Sequence, residues 1–457
     1  MVDFNHARNK NDYITYFDDL GEKHGHIFQF FFGPLVRLFI NEPDLIGDVL
    51  GRANAPNYEK PADVAVALEK LFGRRNLFLM ECSEHDRARR MINPAFHHVN
   101  LQSMVSIITD CTAEAIESMI CNDMKSKSVD LQVLFNALTM SIIASSAFGT
   151  DFKRNPHARD IVCRTFAQIL EINEHRWMMM INQIPLLARL PFWGKTTLDA
   201  GNRKVHEFVD QVIADRRHRR SSSLSDGADL LDLLLSAVDD AGKPFTDEEI
   251  KEESLAFMFA GSETSGNLLT WMLYVLMTNE NILKDVREEV DQVLPNRITP
   301  TNEHISELVV CEAVINETLR LYPPVPLLVR HCVCEHTIGK ERQIRIPKGT
   351  TVVMNVHAVH RRSDLWPRPL EFDYTRWMRD PTTGLKPKLS HPFAFVPFAA
   401  GPHVCLGQNF ALLELKIMLA MFIQRCHFDL VPGQKIAKDV KITMRPKYGL
   451  WANISQR

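Results

Sequence analysis

Apolar positions recur with helical spacing over most of this chain, and two short stretches break that rule early. Residues 12–24 carry the pattern of a short amphipathic helix. The run IFQFFFGPLVRLFI (27–40) reads as two strands around Gly33-Pro34, and a helix is predicted over 43–51. From about 85 to 290 the periodicity is overwhelmingly helical, with Pro-, Gly- or Ser-rich loops predicted at 153–157, 190–194 and 220–228. The basic run DRRHRRSSSLSDG (215–227) reads as a solvated loop after a helix end rather than a membrane-facing patch.

The longest helix is predicted to start at Thr246. There TDEE sets Glu249 three residues after a capping Thr and adds acid to the positive helix end. No proline interrupts 247–294, and LAFMFAGSETSGNLLTWMLYVLM (255–277) is apolar enough to be buried on most sides. A further helix, ISELVVCEAVINETLRLY (305–322), stops against Pro323-Pro324. Strand patterns follow in QIRIP and TTVVMNV, then an irregular stretch from 360 to 404. No internal repeat is visible. The pattern implies one large, mainly α domain with a smaller β portion.

Composition narrows the function classes. A net charge of -3 over 457 residues gives no basic face for general nucleic-acid binding. Nine cysteines are scattered without framework spacing, and Cys332 and Cys334 fit neither a CxxC pair nor a zinc knuckle, so a reducing compartment is expected. No stretch of about 18 uninterrupted apolar residues and no secretory signal is found, so the chain as it stands is expected to be soluble.

Chemistry concentrates in a few places. FAAGPHVCLGQ (398–408) sets Cys405 between Gly401 and Gly407, just ahead of a helix predicted to begin around 406–409. A helix N-terminus favours a thiolate, which suits a metal ligand or a nucleophile with His403 as base; a buried, inert cysteine is the plainer alternative. AGSETS (260–265) places Gly261, Glu263 and Thr264 inside the apolar helix, a cluster that would open a space lined by a hydroxyl and an acid. ETLR (317–320) puts Glu317 and Arg320 on one helix face, and HDRARR (85–90) does the same for His85 and Arg89; both patterns are also common on solvated helix faces.

Together and in this order these segments resemble the cytochrome P450 family, a likeness that runs from about residue 12 to the C-terminus. FAAGPHVCLG is similar to its haem-binding signature, AGSETS to its oxygen-binding helix motif, ETLR to its ExxR motif, and EFDYTRW (371–377) to the segment that supplies a second arginine. The stretch after the cysteine looks most like the membrane-bound eukaryotic branch that oxidises fatty acids, sterols and other lipids. The resemblance implies one cytochrome P450 domain over 1–457, with a β-containing part to about residue 80 and a helical haem-binding part from about 81.

It also implies roles for individual residues. Cys405 would be the axial thiolate of haem b, with Phe398 beside the sulfur and Gly401 and Gly407 letting loop and helix close around it. Thr264 and Glu263 would relay protons during dioxygen activation. Glu317, Arg320 and Arg376 would form a buried structural network. His85, Arg89, Arg330 and His403 would face the haem propionates, with His standing at 403 where the family has Arg and Tyr374 where it has Pro. Ala260, Val325, Leu327 and Leu328 would line the cofactor and substrate pocket, and Ala260 lacks the glutamate that one subgroup bonds covalently to haem.

The function implied is a monooxygenase that inserts one oxygen atom from O₂ into a lipophilic molecule, using NADPH through a partner reductase. The alternatives are a reductase-independent isomerase or dehydratase of peroxides, a non-catalytic haem sensor, and a Cys405/His403 hydrolase. An anchored form would sit on the cytosolic face of the endoplasmic reticulum membrane.

Overall fold

The computed structural model describes residues 13–32, 35–121, 128–149, 152, 158, 160–178, 190–220, 229–380 and 382–457. The turn expected at Gly33-Pro34, the loop at 153–157 and residues 221–227 of the basic run lie outside these described residues. The chain opens with α1 (Tyr13–His24), β1 (Ile27–Phe32), β2 (Leu35–Ile40), α2 (Pro43–Leu50) and β3 (Tyr58–Glu59). Next come α3 (Ala62–Phe72), α4 (Cys82–Ile92), α5 (His98–Cys121), β4 (Val129–Asp130) and α6 (Leu131–Phe148). The middle holds α7 (Ala167–Met178), α8 (Lys195–Arg220), α9 (Leu230–Ser236), α10 (Asp247–Thr278) and α11 (Glu280–Val293). After α12 (Asn302–Glu307) and α13 (Val309–Leu321) come β5 (Leu327–Cys332), β6 (His336–Ile338), β7 (Ile344–Ile346), β8 (Thr351–Asn355) and α14 (Val356–Val359). The chain closes with α15 (Gln408–Arg425), β9 (Cys426–Leu430), β10 (Lys438–Val440), β11 (Met444–Pro446) and β12 (Trp451–Gln456).

Two compact units cut across the sequence. One comprises Met1–Glu59, Ile108–Asn136 and Thr264–Arg457; the other comprises Lys60–Ile107 and Ala137–Glu263.

In the first unit a five-stranded sheet runs in the order β1-β2-β8-β5-β3, joining the early ribbon to a strand more than 300 residues later (Arg37 pairs with Thr351). β2 and β8 pair in parallel (Arg37 against Thr351), while β1–β2 and β5–β8 are antiparallel. All five residues of β8, TVVMN, are buried, as expected of an interior strand covered on both faces. Leu38, Ile40, Ile46, Val49, Val352 and Met354 form a core under this sheet. Phe28 stacks on Phe39 at 4.9 Å with Phe17 against it, so α1 is held by aromatic packing. Helix α15 is buried on nearly every side from Glu414 to Gln424, which explains its all-round apolar sequence.

The predicted cap of α10 is present: Glu249 N–H donates to Thr246 Oγ1 (3.2 Å) and Thr246 N–H to Glu249 Oε2 (2.8 Å). Two helices end earlier than proline positions suggested. α10 stops at Thr278 and α11 restarts after Asn279, whose φ/ψ of -134°/86° breaks the ladder. Likewise Leu308, at -75°/74°, splits the 305–322 pattern between α12 and α13. Residues 215–220 of the basic run belong to α8, and the expected loop at 190–194 is present.

In the second unit α10 packs closely against α6. A Cβ on Gly261 would lie 2.9 Å from Ile143 Cγ1, and Ser262 C=O accepts from Thr139 Oγ1 at 2.7 Å. The small residue therefore admits a neighbouring side chain there, where the sequence suggested an opening. Among the described residues one helix, Leu131–Phe148, is long and apolar enough to cross a membrane, and 67% of it is buried.

Candidate active site

The cysteine loop is built in the first unit by backbone geometry. Cys405 N–H donates to Phe398 C=O (2.8 Å) and Val404 N–H to Gly401 C=O (3.1 Å), which closes residues 398–405 into a tight loop. Gly401 has φ +69°, and a Cβ there would come within 1.9 Å of Leu50 O at the end of α2, so only glycine fits. Ala399 also takes the left-handed region at φ 58°. Gly407 differs: its φ is -83°, it caps α15, and a Cβ there would meet no protein atom within 4 Å. Its smallness is not required by the polypeptide.

The Cys405 thiol is exposed two residues before that cap, where the α15 dipole favours the thiolate. Cys111, Cys311 and Cys426 are buried, and burial pushes the Cys426 thiol up to about 12. Among the described residues Cys405 and Cys82, the first residue of α4, are exposed cysteines beside a helix N-terminus, and Cys405 is the one held in a glycine-bounded loop. His403 and Phe398 are half-buried in the same loop.

Behind it, the ETLR residues are not a surface pair. Glu317 and Arg320 are both fully buried, joined by Arg320 Nε to Glu317 Oε2 (2.9 Å) and Nη2 to Oε1 (2.8 Å). The remaining guanidinium N–H groups donate to the C=O groups of His360 (2.8 Å), Pro369 (2.6 Å) and Glu371 (2.9 Å). Glu317 also accepts from Asp373 N–H (2.9 Å), Trp377 Nε1 (2.8 Å) and Arg376 Nε (3.3 Å). These bonds pin the irregular 360–377 stretch onto α13. Tyr374, standing where proline was expected, donates to Asp285 Oδ2 at 2.7 Å and so ties that stretch to α11.

Helix α10 carries the other predicted residues. Along this largely buried helix Ala260 is exposed and Phe257, Gly261 and Thr264 are half-buried, a stripe of one helical period. Glu263 is buried on its flank. In the first unit Arg330 (on β5) and the apolar Val325, Leu327 and Leu328 are half-buried. In the second unit His85 is 3% exposed on α4 with Arg89 half-buried one turn on. Burial and the Lys60 ammonium lower the His85 pKa, so its ring is a neutral N–H donor at pH 7.

Among the described residues several buried carboxyls escaped the sequence reading, Glu252, Glu253 and Glu414 among them. Glu252 and Glu253 face into the second unit from α10. Glu414, fully buried on α15 near Ser265, has no hydrogen bond to either oxygen among the described residues, and burial raises its pKa to about 8. The apolar setting FALLELKIMLA was the available signal for Glu414.

Known proteins share this arrangement. The family model for cytochrome P450 matches residues 3–451. The chain belongs to the cytochrome P450 family. It is 30% identical over 440 residues to cytochrome P450 709B1 of Arabidopsis thaliana, covering 94% of this chain and 81% of that one. It is 28% identical to cytochrome P450 4F12 of Homo sapiens, covering 93% and 82% respectively. The crystal structure of the cytochrome P450DA heme domain superposes with a TM-score of 0.83 at 25% identity, covering 97% of this chain and 93% of that chain. The fold is therefore the cytochrome P450 fold, mainly α with a smaller β part, and the enzyme is a cytochrome P450 monooxygenase. The donor set fits the haem the family implies: a thiol exposed ahead of a helix N-terminus, with an imidazole and a guanidinium (His403, Arg330) in the same unit.

Proposed function

We propose that this cytochrome P450 oxidises a lipophilic small molecule of the fatty acid, sterol or terpenoid kind, taking electrons from NADPH through a partner NADPH–cytochrome P450 reductase. The carrying observation is one unit that holds both an exposed Cys405 thiol at the start of α15 and the apolar, half-buried residues Val325, Leu327 and Leu328. Haem b held by Cys405 supplies the activation of dioxygen. The α15 dipole keeps Cys405 as thiolate, and Phe398 packs beside its sulfur. Thr264 Oγ1 holds and passes a proton that Glu263 resupplies. His403 and Arg330, both in the first unit, are the N–H donors assigned to the propionates, and the Glu317–Arg320–Arg376 network keeps the cysteine loop in register.

The proposed location is the cytosolic face of the endoplasmic reticulum membrane. Phe31, 63% exposed on β1, and Val36, 39% exposed on β2, support contact with a lipid surface.

A reduced, CO-bound spectrum tests the ligand first. Wild-type holoprotein should show the red-shifted thiolate band and Cys405→Ala should lose it. Thr264→Ala should keep the band while uncoupling NADPH and O₂ consumption from product; full coupling in that variant removes Thr264 from the proton path. Spin-state titration with fatty acids, sterols and terpenoids then tests the substrate class.

A further inference from the structure

In the second unit the loop between α3 and α4 is fastened to α10 by two acidic side chains. Glu252 accepts the Arg75 N–H, and Glu253 Oε1 accepts the Leu77 N–H at 2.7 Å. Gly73, at φ +75°, brings the chain so close that a Cβ would lie 2.0 Å from the Glu252 carboxylate. The rest of the loop is closed by Asn76, which is fully buried. Its Nδ2 donates to Gly73 C=O (3.0 Å), its Oδ1 accepts Leu79 N–H (3.1 Å), and its C=O accepts Met80 N–H (2.9 Å).

The fastening has an aromatic counterpart two turns along α10. Phe259 lies 5.4 Å from Phe72 and 6.5 Å from Phe78, and Phe72 and Phe78 meet edge-on at 6.4 Å. Phe78 remains 41% exposed although it packs against two rings, and Ala260, next to Phe259 along α10, is exposed as well. A loop that only had to close could cap its amides with its own turns or with water. This one takes them from a helix about 176 residues away and buries two acids to do so.

We infer that Glu252 and Glu253 are positioning residues that set substrate selectivity by pinning residues 73–80 to α10, so that the Phe78 ring is fixed against Phe259 one residue ahead of Ala260. They touch no reacting atom and act through Phe78. Glu253 is fully buried, its Oε2 has no hydrogen-bond partner among the described residues, and burial raises its pKa well above the usual carboxylate range. Glutamine preserves the acceptor for the Leu77 N–H, whereas alanine removes it. The inference rests on the reading that this enzyme takes lipophilic substrates.

The test uses purified holoenzyme and two readouts. The first is amide hydrogen exchange of residues 73–80 without ligand. The second is spin-state titration with a slender probe, lauric acid, and a broad rigid one, testosterone. Glu253→Ala should speed exchange at Leu77 about tenfold, the worth of one amide hydrogen bond, and change the ratio of the two Kd values several-fold. Glu253→Gln should match wild type in both. If Glu253→Ala does not retain haem, Glu253→Leu fills the volume without an acceptor and takes its place. Unchanged exchange overturns the clamp, and faster exchange with an unchanged Kd ratio overturns its role in selectivity. A wild-type enzyme that responds to neither probe overturns the lipophilic-substrate reading instead.

Discussion

Glu317 and Glu414 are both fully buried in the interior of the same unit, on neighbouring helices α13 and α15, yet they solve burial in opposite ways. Arg320 gives Glu317 two charge-assisted hydrogen bonds, and Arg376, Trp377 and the Asp373 amide add more. Glu414 has only the Ser265 side chain nearby to favour its charged form, and desolvation holds it protonated to about pH 8. One acid is a hub whose removal leaves partners stranded. The other is a neutral group in apolar surroundings.

The difference can be broken most severely at the hub. Arg320→Ala strands the Glu317 carboxylate and frees three backbone carbonyls, so a loss of about 3–5 kcal/mol is expected. Recovery of the CO-binding thiolate band and thermal unfolding measure it. A loss under about 1 kcal/mol would show that water replaces the guanidinium.

The second effect belongs to Glu414 and depends on pH. Its folded pKa of about 8 lies above the ordinary 4.5, so the unfolded chain gives up the proton first. The contribution of the bound proton is complete below about pH 4.5 and is lost as pH rises to about 8. Glu414→Gln removes that slope. As pH rises from about 4.5 to about 8 it should become progressively more stable relative to wild type, by about 1.4 kcal/mol per pH unit, with no further change above the folded pKa. Parallel stability curves for the two proteins would mean that Glu414 is solvated.

The smallest change sharpens the network's edge. Tyr374→Phe deletes one hydrogen bond to Asp285 while leaving Arg376 in place, and should cost about 1 kcal/mol in thermal unfolding without altering the thiolate band. A loss of the band would place Tyr374 inside the hub.

Legibility in the sequence follows the same division. Features written in adjacent residues were readable: the Thr246–Glu249 cap, the proline stop after α13, the glycine-bounded Cys405 loop and the shared face of Glu317 and Arg320. Helix breaks at Asn279 and Leu308 were not, because neither residue is a breaker by itself and packing decides the break. The roles of Glu252 and Glu253 were not readable either, since their partners at 75 and 77 are distant in sequence. Which carboxyl is paired and which is neutral depends on contacts that no local spacing encodes.

The two glycines around Cys405 carry a consequence for how this enzyme can diversify. Position 401 is closed to every other residue by the Leu50 carbonyl, so no library and no lineage can tune the loop there without first remodelling the end of α2. Position 407 is sterically open as far as the polypeptide is concerned. Intolerance at 407 would therefore report on cofactor fit alone, and intolerance at 401 on folding alone. A deep mutational scan of one decapeptide can thus score the two requirements separately.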